Sequence, residues 1–272
     1  MTSDKKNPYF QVDGVPKIKK SVVVFADILG FKDETLRASD EKRADELLFK
    51  LSNTLEQAYI HLKHNNPDPR RWAIKTFSDN ILVGFPISED GGNEMIEAFF
   101  HFGILQWEMV RSGFFIRGGI AIGELFIDDD IVYGKGLIEA YEAEKMAHYP
   151  CIMLHRSAID YLEFALPDWN KMLSDDLLRD MDYGTIFLNY LKVTVLLSEP
   201  LGKIYYDILL EHKKIIESKL EKFEDHPLTW SKYAWVANYH NYFCDQYEYF
   251  DESYKINLKK LNYPTIISKL AN

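Results

Sequence analysis

The run Val22-Val23-Val24-Phe25 constrains this chain more than any other stretch, because such a β-branched series makes a strand buried on both faces. It stops on a carboxylate, Asp27, followed by Ile28, Leu29, Gly30 and Phe31. An unpaired carboxylate at the end of a buried strand is costly. Asp27 therefore either caps the next segment of chain or meets a cation.

The remaining segments give that strand its company. Residues 1–20 are polar, with Gly14 and Pro16, and read as an N-terminal arm. Residues 33–64 carry Leu36, Leu47, Leu48, Leu51, Leu55, Ala58 and Leu62 at helical spacing and stop at residues 65–69. Two short apolar runs around Ser78, Asp79 and Asn80 form a hairpin signal. A second helix over 93–111 places Ile96, Phe99, Phe100, Ile104 and Trp107 on one side. The next strand is interrupted by Gly118, Gly119 and Gly123, where something approaches the backbone closely. A third helix ends at Pro150, and "CIMLH" is a short strand.

Strand–helix–strand–strand–helix–strand is the split βαβ order. The expected class is α+β: a ferredoxin-like βαββαβ core over residues 21–155, its sheet packed with helices on one face. Residues 156–272 are expected to form a mainly helical C-terminal extension. There, residues 165–180 read as irregular, and "YYDILLEHKKIIESKLEKF" and "SKYAWVANYHNYFCDQY" read as helices.

Composition narrows the function. The 272 residues carry a formal net charge of -10, which opposes a nucleic-acid or anionic-membrane partner. The N-terminus lacks a signal-peptide apolar region, and no apolar run approaches a membrane span. The only cysteines, Cys151 and Cys244, make no disulfide framework and no CxxC zinc pair. The expectation is a soluble cytoplasmic protein.

The split βαβ topology brings Asp27 and Asp79 to one edge of the sheet. Alone, each reads as a cap or turn residue. Together they form a carboxylate pair suited to the hard cations Mg²⁺ or Mn²⁺. The helix entered through Gly30 and Phe31 offers amides that could seat a phosphate.

At these residues the chain resembles the class III nucleotide cyclases. Phe25, Asp27, Gly30 and Phe31 match the first-strand signature of that family, and Lys75 to Asp79 match its metal hairpin with Ser78 in place of glycine. Arg117, Gly119, Ile120 and Gly123 match its later strand motif, so the resemblance covers roughly residues 20–155. There are departures. Ile138 and Glu142 stand where the family places an asparagine and an arginine, and Glu124 stands where an arginine is common. Gly134, Ala140, Tyr141, Glu144, Pro150 and Ile152 are similar to a divergent branch, the pyrimidine cyclases of the Pycsar antiphage systems, with Cys151 replacing an arginine.

The resemblance implies a uridylate or cytidylate cyclase that makes a 3′,5′-cyclic monophosphate as a second messenger in antiphage defence. It implies two Mn²⁺ or Mg²⁺ ions per site, held by Asp27, Asp79 and the Ile28 carbonyl, with Asp27 and Asp79 catalytic. Gly30, Phe31 and Lys75 would contact the nucleotide, Lys75 at the base or a phosphate. It also implies a homodimer with its sites at the interface and a separate effector for the product. Alternatives are a purine cyclase, suggested by Lys75, and a catalytically silent nucleotide-binding regulatory domain, suggested by the missing asparagine and arginine.

Other features read as structural. His61 and His64 share a helix face without a matching metal motif. Ser78 lacks a nucleophile-elbow context, and "GGIAIG" lacks the lysine of a phosphate loop. Trp230, Tyr233, Trp235, Tyr239 and Tyr242 read as the packed face of a helix, and residues 128–130 as a solvated acidic turn.

Overall fold

In the computed structural model of the chain, residues 7–38, 40–64, 71–88, 91–193, 205–257 and 267–270 are described. Strand β1 (Lys19–Ile28) takes up the whole apolar run, with Val22, Val23, Val24 and Ala26 fully buried. Strand alternation divides it: Val22, Val24, Ala26 and Ile28 enter one core, and Val23 and Phe25 enter another. Asp27 shares the face of Val23 and Phe25.

Strands β2 (Ala73–Phe77) and β3 (Asn80–Pro86) form the expected hairpin, and β4 (Ile116–Ile127) lies on the far side of β1. The order β2-β3-β1-β4, antiparallel throughout, is that of the ferredoxin-like core. The short β5 (Val132–Tyr133) folds back on β4. Helix α4 (Lys135–Met146) then crosses to β6 (Ile152–Leu154), which runs parallel to β4.

The sheet does not stop there. Strands β7 (Leu177–Asp180), β8 (Ile186–Leu188) and β9 (Ile267–Lys269) continue it in the order β6-β8-β7-β9. One sheet thus crosses position 155, and β7 lies where the sequence suggested irregular chain. Strands of three or four residues are too short for alternation to reveal them.

Helices cover both faces of the sheet, not the one face expected. Helices α2 (Glu41–His64), α3 (Gly92–Arg111) and α5 (Arg156–Ala165) close the core around Val22 and Val24, through residues such as Leu51, Phe102 and Leu162. Helix α4 packs on the opposite face, against Val23, Phe25 and Ala121 through Ala140. The β4 glycines permit this. A Cβ on Gly119 would collide with Ala140 O and Ala143 Cβ and lie 2.8 Å from Glu144 N, and one on Gly123 would lie 2.7 Å from Gly136 Cα.

The long helix expected over 33–64 is two helices, α1 (Phe31–Arg37), capped at Ala38, and α2, which starts at Glu41. Its expected stop at 65–69, and the side chains of His61 and His64, lie outside the described residues. Beyond α6 (Trp169–Met172) come α7 (Tyr205–Lys222) and α8 (Pro227–Asp245). On α8, Tyr233, Trp235 and Tyr239 are buried against β6, β7 and β8, through Met153, Leu178 and Phe187. The arm is anchored too: Tyr9 is fully buried, and its hydroxyl donates to Ser21 Oγ at 2.8 Å.

Candidate functional site

The last residues of β1 organise the site. Asp27 pairs with Asn80 on one side and with Arg117 on the other. The Ile28 amide donates to the Asp79 carbonyl at 3.1 Å, tying the β2–β3 turn to the end of β1. Asp27, Ile28 and Asp79 are thereby brought together. Burial pushes the Asp27 carboxyl up to about 6, and a hydrogen bond to the Asp79 side chain and that group's charge push the same way. Arg117 opposes them, its Nη2 lying 3.6 Å from Asp27 Oδ2.

The turn itself is strained. Ser78 adopts φ 55, a left-handed conformation that costs a residue with a Cβ roughly 1 kcal/mol. Glycine fits there freely. Ser78→Gly relieves that strain at the cost of added unfolded-state entropy, and is expected to stabilise the protein by about 0.5 kcal/mol, raising Tm by about 1 °C in a thermal melt. A lowered Tm would contradict the positive φ at this turn.

Behind Asp27 stands Arg117, and behind Arg117 stands Glu144 on α4. Arg117 Nη2 lies 2.8 Å from Glu144 Oε1, an ion pair without hydrogen-bond alignment, since Arg117 Nε and Glu144 Oε1 are both buried without a hydrogen-bond partner. Burial raises the Glu144 carboxyl, and Arg117 offsets part of that rise. Lys232 of α8 lies within electrostatic reach of Arg117 and Asp27. Burial lowers its pKa and Arg117 lowers it further, while Asp27 raises it.

Gly30, at φ 76, opens α1 with nothing within 4 Å of where a Cβ would stand. Phe31 packs against the core beside it. Lys75 is turned elsewhere: its Nζ donates to the carbonyls of Asp128 at 3.1 Å and Asp129 at 2.8 Å. The acidic run is a turn in which Asp128 Oδ1 accepts from the amides of Asp130 and Ile131.

Among the described residues, no group of three or more His, Cys, Asp or Glu side chains is placed to hold a metal ion. Asp27, Asp79 and the Ile28 carbonyl would offer a cation two carboxylates and a carbonyl. That set fits Mg²⁺ or Mn²⁺, which keep water and phosphate oxygens as their remaining ligands, and it fits zinc poorly.

Sequence reasoning missed the cationic side of this site. Arg117 entered only as part of a motif, and Lys232 was overlooked within an aromatic helix. A signal was present: Lys232 is the sole lysine or arginine between residues 227 and 245.

No protein-family model matches the chain, and no curated protein matches it. Among solved structures, it is similar to a class III adenylyl cyclase-like ATP-binding protein from Pseudomonas aeruginosa, at 15% identity and TM-score 0.42. That match covers 53% of this chain and 35% of the other, so it spans about a third of that protein's length. The chain is also similar to a bacterial light-regulated adenylyl cyclase, at 13% identity and TM-score 0.41, over 68% of this chain and 100% of the other.

Proposed function

We propose that this chain is a nucleotide cyclase that converts UTP or CTP to the 3′,5′-cyclic monophosphate and pyrophosphate. The carrying observation is the convergence of Asp27 and Asp79 at the end of β1, where burial and the neighbouring Asp79 side chain together raise the cost of ionising Asp27. Such repulsion is a poor way to build a turn and a good way to bind a cation. Asp27, Asp79 and the Ile28 carbonyl would hold two Mn²⁺ or Mg²⁺ ions, which supply charge neutralisation for a triphosphate when bound.

The reaction joins the ribose 3′-oxygen to the α-phosphorus and breaks the bond to pyrophosphate. It asks of the protein mainly positioning and electrostatic stabilisation. The open space at Gly30 leaves room for a phosphate beside the backbone, with Phe31 fixing the start of α1.

The α4 sequence supports a pyrimidine over a purine, through the Ala140, Tyr141 and Glu144 pattern of the pyrimidine branch. Lys75, engaged by two carbonyls, speaks for neither base. The antiphage role and the separate effector come from that resemblance alone.

A homodimer with its sites at the interface is supported by apolar surface beside Asp27. Phe77 and Tyr141 both pack on Phe25, at ring distances of 6.4 and 5.4 Å, yet are 51% and 39% exposed. Ile138 adds a further exposed apolar side chain on α4. The test compares the native protein with Ile138→Asp by gel filtration and by pyrophosphate release with Mn²⁺ and UTP or CTP. The native protein is expected to elute as a dimer and release pyrophosphate, and the variant as a monomer with turnover down roughly 100-fold. A fully active monomer would rule out the interface site. A native protein inert toward every triphosphate would rule out the cyclase.

A further inference from the structure

We infer that Lys232, supplied by the C-terminal helix α8, forms with Arg117 the cationic wall of the Asp27–Asp79 site and holds the phosphates of the nucleoside triphosphate. The assignment rests on the reading of the chain as a cyclase. It gives the C-terminal extension a part in the chemistry.

The packing puts α8 there. Tyr233, next to Lys232, meets Phe115 edge-on at 5.1 Å, and the Phe115 carbonyl accepts from the Leu29 amide at 2.8 Å. The start of α8 thus lies over the ends of the strands that carry Arg117 and Asp27. The preceding helix is fastened to the same place: Lys219 and Lys222 of α7 stand 3.8 and 3.5 Å from Glu34 Oε1 on α1. In a chain of net charge -10, Arg117 of β4 and Lys232 of α8 both act on Asp27 at the end of β1.

Arg117 keeps a donor in reserve beyond its carboxylate partners. Arg117 Nε is buried with no hydrogen-bond partner, although the same guanidinium touches Asp27 and Glu144. Lys232 is half-buried, with both Arg117 and Asp27 acting on its charge. Arg117 acts on Lys232 more strongly than Asp27 does, so the two cations still gain from a further anion placed between them. A triphosphate is such an anion, and phosphoryl transfer gains most from fixed positive charge where the leaving group develops. Ile138, Glu142 and Glu124 provide no positive charge at the positions where the resemblance would put an asparagine and cations.

A phosphate-binding lysine and a structural one differ in the sign of their effects. Lys232→Met keeps the aliphatic stem and removes the charge, and Lys232→Arg keeps the charge. Mn²⁺ alone is titrated by electron paramagnetic resonance, and UTP and CTP with Ca²⁺ by calorimetry. Lys232→Met is expected to weaken triphosphate binding about tenfold or more, and to tighten Mn²⁺ alone because a neighbouring positive charge is gone. Lys232→Arg is expected to restore triphosphate binding. If Lys232→Met weakens both ligands together, or changes neither, the assignment is overturned. If the native protein binds Mn²⁺ but neither UTP nor CTP, the cyclase reading itself falls and takes this role with it.

Discussion

Asp27→Asn is expected to abolish cyclic nucleotide formation and, at pH 7.5, to make the protein more stable. The two effects share one cause. Burial, with the Asp79 side chain beside it, raises the Asp27 carboxyl from its ordinary 3.8 to about 6. A carboxyl whose pKa is raised on folding binds its proton more tightly in the folded protein. Stability therefore falls as pH climbs from about 4 through about 6. At pH 7.5 the whole penalty is present.

Asparagine keeps the shape and removes the charge. With Arg117 offsetting part of the repulsion, the gain is about 1–2 kcal/mol, or a Tm rise of about 4 °C. At pH 3, below the ordinary carboxyl value, the difference between native and variant should nearly vanish. Turnover should fall roughly a thousandfold at any pH, because the cation loses a charged ligand. Asp79→Asn should lose turnover alike. A variant that loses stability at pH 7.5 would mark Asp27 as a structural cap and remove the reason to call the pair functional.

Gly119→Val carries the largest expected effect on folding. The absent Cβ at Gly119 is what lets α4 lie directly on β4, with Ala140 O and Ala143 Cβ filling the space. One obstacle is backbone, so no side-chain rotation relieves the clash. Overpacking of a close-packed interior costs about 1–3 kcal/mol for a methyl group and more for a branched chain. Gly119→Ala should lower the urea midpoint clearly, and Gly119→Val should give insoluble or unfolded protein. Any soluble fraction should be inactive, because lifting α4 carries Glu144 away from Arg117. An unchanged midpoint for Gly119→Val would contradict the close approach of helix and sheet.

The sequence made some of this architecture legible and concealed the rest for physical reasons. The run from Val22 to Asp27 could only be a buried strand, and Ser78-Asp79 between β-prone flanks could only turn, so the two carboxylates were expected at one sheet edge. The break between α1 and α2 was hidden because leucines kept helical spacing on both sides of Ala38. Strands β7, β8 and β9 were too short to show a period, and their partners lie far away in sequence. Glycines in β4 announced a close approach without saying what approached. Lys232 and Glu144 reach the site through tertiary packing, from helices whose sequences advertise aromatic and small apolar faces. Charge brought in from a distant helix has no local pattern to betray it.

The central claim is that Asp27 and Asp79 serve pyrimidine nucleotide cyclisation. The most direct measurement incubates the purified protein with UTP, CTP, ATP and GTP separately, in Mn²⁺, and identifies the products by mass spectrometry. The predicted result is a cyclic pyrimidine monophosphate with an equal amount of pyrophosphate, absent in Asp27→Asn. A cyclic purine product would keep the chemistry and discard the pyrimidine assignment, whereas no product from any of the four would contradict the claim outright.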